Sequence, residues 1–93
     1  TVNINWSLNQ VFNFTATENI TLNMQNVTPG ITKIIVITGE GQSNTLAFNV
    51  GGSAGTFDKL SGDYDDTGAA KNFIQVTCVS ATEFWYSISQ IAT

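Results

Sequence analysis

The densest run of ligand-type side chains is Asp63-Tyr64-Asp65-Asp66-Thr67-Gly68. Oxygen donors at its first, third and fifth positions and glycine at its sixth match the opening of a calcium loop. The twelfth position, however, is Ile74, where such a loop places a bidentate glutamate, and no helical pattern flanks the run. Asp63, Asp65 and Thr67 are the calcium candidates; the plainer reading is an acidic turn that Lys59 and Lys71 neutralise. Catalysis has little to work with. The chain has no histidine, which removes every Ser-His-Asp and Cys-His arrangement. A pair drawn from Asp58, Asp63, Asp65 and Asp66 has the acid and base needed for glycoside hydrolysis. Those carboxylates sit among Gly and Ser, whereas such chemistry needs a rigid frame. The expectation is a protein that is not an enzyme and has no cofactor.

Trp6, Tyr64, Trp85 and Tyr86 are the candidates for contact with a ligand or another subunit. An aromatic face stacks on the C–H surface of a sugar ring, and large aromatics equally dominate cores and subunit contacts. The second use is the commoner one, and Phe84-Trp85-Tyr86 lies mid-strand. Cys78 is the sole cysteine, so neither an internal disulfide nor a cysteine-based metal site can form. In an alternating strand its thiol behaves as a small apolar core group.

Charge narrows the partners further. The net charge is -4, and Lys33, Lys59 and Lys71 are the only basic residues. Phosphate neutralisation is therefore out of reach, which excludes nucleic acid, and an anionic membrane surface is excluded on the same ground. No apolar run approaches the ~20 residues of a membrane span. Asn5, Asn13, Asn19 and Asn26 each open an N-glycosylation pattern. In a chain this rich in Asn and Thr, with no cysteine pairs, chance is the expected source of them. Charged residues make up only 11% of the chain, against ~25% in an average domain. Asn, Thr, Ser and Gln supply the polar surface instead, and such groups cost less than charges to desolvate against another chain.

The positioning elements are strands. Asn72 to Val79 and Glu83 to Ser89 alternate at period two across a Ser80-Ala81-Thr82 joint, which predicts a β-hairpin. Ile74, Val76 and Cys78 share one face of it, as do Phe84, Tyr86 and Ile88; Trp85 faces the other way with Ser87 and Ser89. Earlier alternations place strands over Thr1–Trp6, Val11–Ala16, Ile20–Met24 and Asn44–Val50. Ile31 to Thr38 is apolar at consecutive positions, as expected of a central strand covered on both faces. Pro29-Gly30 before it predicts a type II turn, and Gly39 to Ser43 after it reads as a hairpin loop. From Gly51 to Ala70 the pattern lapses into loop. No period of 3.6 persists. The chain, 93 residues long, makes a single domain, 1–93. About seven strands joined by turns argue an all-β, antiparallel, jelly-roll-like β-sandwich.

The order of these signals resembles a known family. Trp6-Ser7-Leu8-Asn9-Gln10-Val11-Phe12 leads to Asn19-Ile20-Thr21-Leu22-Asn23-Met24, then to Asn26-Val27-Thr28-Pro29-Gly30 before a strand. Ser43-Asn44-Thr45-Leu46-Ala47-Phe48, a Gly-rich stretch and a closing hairpin with Phe84-Trp85-Tyr86 complete it. This is similar to the small all-β module of bacteriophage virion proteins found in tail fibres, head fibres and capsid decoration. The resemblance implies a location in the virion, assembly with other virion structural proteins, and self-association as a homotrimer. It brings no catalytic residue. A carbohydrate- or host-receptor-binding module, with a host surface glycan as partner, is the alternative.

Overall fold

The computed structural model describes residues 1–8 and 10–91. Alternation becomes burial strand by strand. In β3 (Ile20–Gln25), Ile20, Leu22 and Met24 are buried and the residues between them are not. In β7 (Lys71–Cys78), Asn72, Ile74, Val76 and Cys78 are buried while Lys71, Phe73 and Gln75 face solvent. β8 (Glu83–Gln90) buries Phe84 and Ile88 and leaves Trp85 exposed. The hairpin of β7 and β8 pairs Ile74 with Ile88, Val76 with Tyr86 and Cys78 with Phe84, so both apolar stripes meet one core. Thr28-Pro29-Gly30-Ile31 closes as a type II turn, with Gly30 at φ +89° and the Ile31 N–H donating to Thr28.

The remaining strands are β1 (Val2–Asn5), β2 (Phe12–Thr15), β4 (Thr32–Thr38), β5 (Leu46–Val50) and β6 (Thr56–Ser61). Among the described residues these make two sheets, β1-β3-β5 and β2-β4-β7-β8-β6, with no helix. The radius of gyration, 12.4 Å, is that of a chain this long folded as one body. Strand count and direction both differ from expectation. The eighth strand, β6, lies in the stretch read as loop. Only Phe57 of β6 packs on the core, and a bulge between Lys59 and Ser61 breaks its register, so the residues carry almost no alternation to detect. Only the pairings of β7 with β4 and with β8 are antiparallel; β1–β3, β3–β5, β2–β4 and β6–β8 are parallel.

The cause is a coil. From β1 to β6 successive strands alternate between the two sheets, so each return to a sheet has the same direction as the last. The β7–β8 hairpin then inserts between β4 and β6. Gly39–Ser43 is accordingly a crossover between sheets rather than a hairpin, and the winding is nearer a short β-solenoid than the Greek keys of a jelly roll. β4 is interior to its sheet, but it buries only Ile35 and Ile37 fully; Ile34 and Val36, on the outer face, are half-buried.

Among the described residues thirteen hydrophobic ones form the core, and no buried side-chain nitrogen or oxygen lacks a partner. Two core rings, Trp6 and Phe84, and three partly buried ones packed against them tie the sheets together: Trp6 and Phe84 meet edge to face, Phe84 stacks on Phe57, Phe57 stacks on Phe48, and Phe48 lies tilted against Tyr86. Cys78 is buried, its Sγ–H directed at the Ser80 carbonyl (2.9 Å), and burial pushes its thiol up. A thiol reagent should therefore leave Cys78 unmodified in the native protein and react only under denaturant, which a mass shift with and without urea will report.

Candidate functional site

Two loops meet at the end of the sandwich where β4 leaves its sheet. Gly39 lies so close to the Asp63–Ala70 segment that a Cβ there would fall 2.5 Å from the Thr67 carbonyl oxygen. Its N–H donates to Ala70 and its carbonyl accepts from Ala69. Asp66 fastens the pair. Its carboxylate accepts backbone N–H bonds from Glu40 (3.3 Å), Gln42 (3.1 Å) and Asn44 (2.9 Å), and the Tyr64 hydroxyl at 2.6 Å. The hydroxyl and the three amides hold the carboxyl down at about 2. Burial, followed by the anionic partner, drives the Tyr64 phenol in the opposite direction, well above its ordinary value.

The sign of the pH dependence follows. A carboxyl depressed on folding contributes stability that is complete above its unfolded value, ~3.9, and disappears as pH falls through about 2. The raised phenol is the mirror case: its contribution is complete below ~10 and is lost as pH rises further. The Gln42 and Asn44 amide resonances should stay in place through about pH 4 and shift together as pH approaches about 2, where Asp66 takes up its proton in the folded protein. In Asp66→Asn that acid transition should vanish and the melting temperature at pH 7 should fall.

Two of the three calcium candidates, Asp63 and Asp65, already have protein partners. Asp63 is ion-paired with Lys59, and the Asp65 carboxylate accepts the Thr67 N–H at 2.9 Å. Lys71 reaches Thr38 Oγ1 instead of the acidic run. No group of three or more His, Cys, Asp or Glu among the described residues could hold a metal ion. Asp66, which the loop pattern did not select, is the one that organises the segment.

The four aromatic candidates separate as well. Trp6 is only 4% exposed, its indole N–H directed at Met24 Sδ, and belongs to the core rather than to any contact surface. Trp85, 44% exposed, lies on the outer face of the five-stranded sheet with its N–H held by Glu83. Tyr86 points to the opposite face and shares an open cleft of about 370 Å3 with Tyr64, beside Phe48, Ile88, Lys59 and Asp63.

The outer face is the larger feature. Across β4, β7 and β8 it runs Val36, Phe73, Ser89, then Ile34, Gln75, Ser87, then Thr32, Thr77, Trp85. Nothing covers it. Phe73 is 39% exposed, and Lys71, Glu83 and Asp58 stand only at its ends. Sequence reasoning reached Trp85 but not this face, because Ile34 and Val36 read as doubly covered. No helix among the described residues is long and apolar enough to cross a membrane. Compared with protein-family models, with curated proteins and with solved structures, the chain matches none.

Proposed function

We propose that the protein is a non-enzymatic structural component of a bacteriophage virion, of the fibre or capsid-decoration type. In this reading it self-associates as a homotrimer and docks on other virion proteins. The supporting observation is the uncovered outer face of the five-stranded sheet, where Ile34, Val36 and Phe73 stand among uncharged Thr, Gln and Ser, and Trp85 lies at the margin beside Glu83 and Asp58. Desolvating the centre of such a face releases apolar surface from water at ~25 cal/mol per Å2 of apolar area, while the charges of Glu83 and Asp58 stay at its rim. Particles purified from an infected culture should contain the chain at fixed copy number, and sedimentation should give a concentration-dependent oligomer. The double substitution Phe73→Glu and Trp85→Glu should leave a folded monomer. A protein that stays monomeric at high concentration and never joins a particle would count against the reading.

A carbohydrate- or host-receptor-binding module is the second reading, favoured by the Trp85 ring. It is exposed, fixed by the Glu83 contact at 3.1 Å and bordered by small hydroxyl side chains, as a sugar-stacking platform would be. Binding on a glycan array that Trp85→Ala abolishes without loss of fold would favour it.

A further inference from the structure

The edge of the three-stranded sheet at β5 offers a second interaction surface. In a parallel ladder alternate residues bond to the neighbouring strand and the others point their N–H and C=O away. The Ile20 N–H donates to the Thr45 carbonyl, and the Gly51 N–H donates to the Met24 carbonyl, so the odd-numbered residues of β5 face β3. The even-numbered ones face outward. Of these, Val50 is already bridged to Ser53 in both directions, which leaves the outward N–H and C=O groups of Leu46 and Phe48. Beside them lies the cleft whose walls are Leu46, Phe48, Tyr86, Ile88 and Tyr64, with Lys59 paired to Asp63 so that the two charges cancel.

We propose that β5 accepts a fourth strand: an extended, uncharged segment of another polypeptide, about five residues long, with apolar side chains at alternate positions. Only an extended backbone presents donors and acceptors at the two-residue spacing of Leu46 and Phe48. Its inward side chains fill the aromatic cleft, whose neutral walls have nothing to offer a charged one. Two of the other three edges, β6 and β2, are less suited. β6 carries Asp58 and Lys59 and is bulged at Leu60, a common guard of a free edge. The β2 edge borders a smaller cleft, about 240 Å3, rimmed by Glu18 and the Thr1 amino end. The proposal does not depend on a location in a virion.

The test follows backbone amides of the full chain as an acetylated, amidated Thr-Val-Thr-Val-Thr peptide is added. At millimolar peptide the Leu46 and Phe48 N–H signals should shift and exchange more slowly, while those of Asn13 and Thr15 on β2 stay unchanged. Leu46→Pro removes an N–H that makes no ladder bond at the start of an edge strand, so it should fold and bind roughly tenfold more weakly. Ala47→Pro gives up a bond to β3 and should lower the melting temperature. Peptides N-methylated on the two Val or on the three Thr test the same register without altering the protein: one pattern should abolish binding and the other spare it. Shifts at Asn13 and Thr15 instead, equal binding by both methylated peptides, no binding at all, or the same shifts from raising protein concentration alone would each overturn the proposal.

Discussion

Phe84→Ala should lower the unfolding free energy by about 3–5 kcal/mol, read as a shift of the urea midpoint with an unchanged slope. Domains of this kind have about 5–15 kcal/mol in all, so the variant should be partly unfolded at 37 °C. The ring is fully buried, stacked on Phe57 at a centroid distance of 4.7 Å and met by Trp6 at 5.6 Å. Phe57 is the one residue that fastens β6 to the core, and Trp6 closes the end of β1. Removing Phe84 therefore leaves a cavity and loosens an edge of each sheet. Phe84→Leu retains much of the volume and should cost less than half as much. Equal losses in the two variants would mean that the site collapses freely and the ring stack contributes little.

What the residues disclosed in advance was local. Faces were readable wherever a strand alternates cleanly, as in Ile20-Leu22-Met24 and Ile74-Val76-Cys78, because period two fixes which side chains share a side. Direction was not. Gly, Ser and Asn serve a hairpin and a crossover equally well, so Gly39–Ser43 carried no signal of the coil that makes most pairings parallel. Asp66 was hidden for a different reason. Its role depends on the Glu40–Asn44 loop arriving from more than twenty residues away, and nothing near Asp66 foretells those amides. The calcium pattern weighed spacing within the run and so chose Asp63, Asp65 and Thr67, whose neighbours in space already engage the two carboxylates. Trp85 was legible as an outward aromatic, yet its setting required knowing that the outer side of β4 is bare.

Asn72 gives the second large effect, and one with a pH signature. It is a fully buried polar side chain on the inner face of β7, among Ile37, Gln90 and the Asp65 backbone. Its Nδ2 donates to the carbonyls of Ile37 (3.1 Å) and Asp65 (2.8 Å), and its Oδ1 accepts from the Asp65 N–H (2.8 Å) and Gln90 Nε2 (2.9 Å). All four bonding positions of the amide are used, so the side chain extends the sheet's hydrogen bonding into the loop that carries Asp66. Asn72→Asp keeps the shape and turns two donors into an oxygen aimed at two carbonyls; it should cost about 2–4 kcal/mol at pH 7. Taking up a proton restores one donor, so the new carboxyl should have a folded value above the unfolded ~3.9. The deficit against the parent is then full at neutral pH and shrinks as pH falls toward about 5. Asp66, held at about 2, does not titrate in that window and leaves it clean. Asn72→Leu has nothing to protonate, and its loss should be the same at both pH values. Urea midpoints of the three proteins at pH 7 and pH 5 decide the matter: a deficit in Asn72→Asp that does not change with pH would mean that the loop swings away from the new carboxylate instead of being held against it.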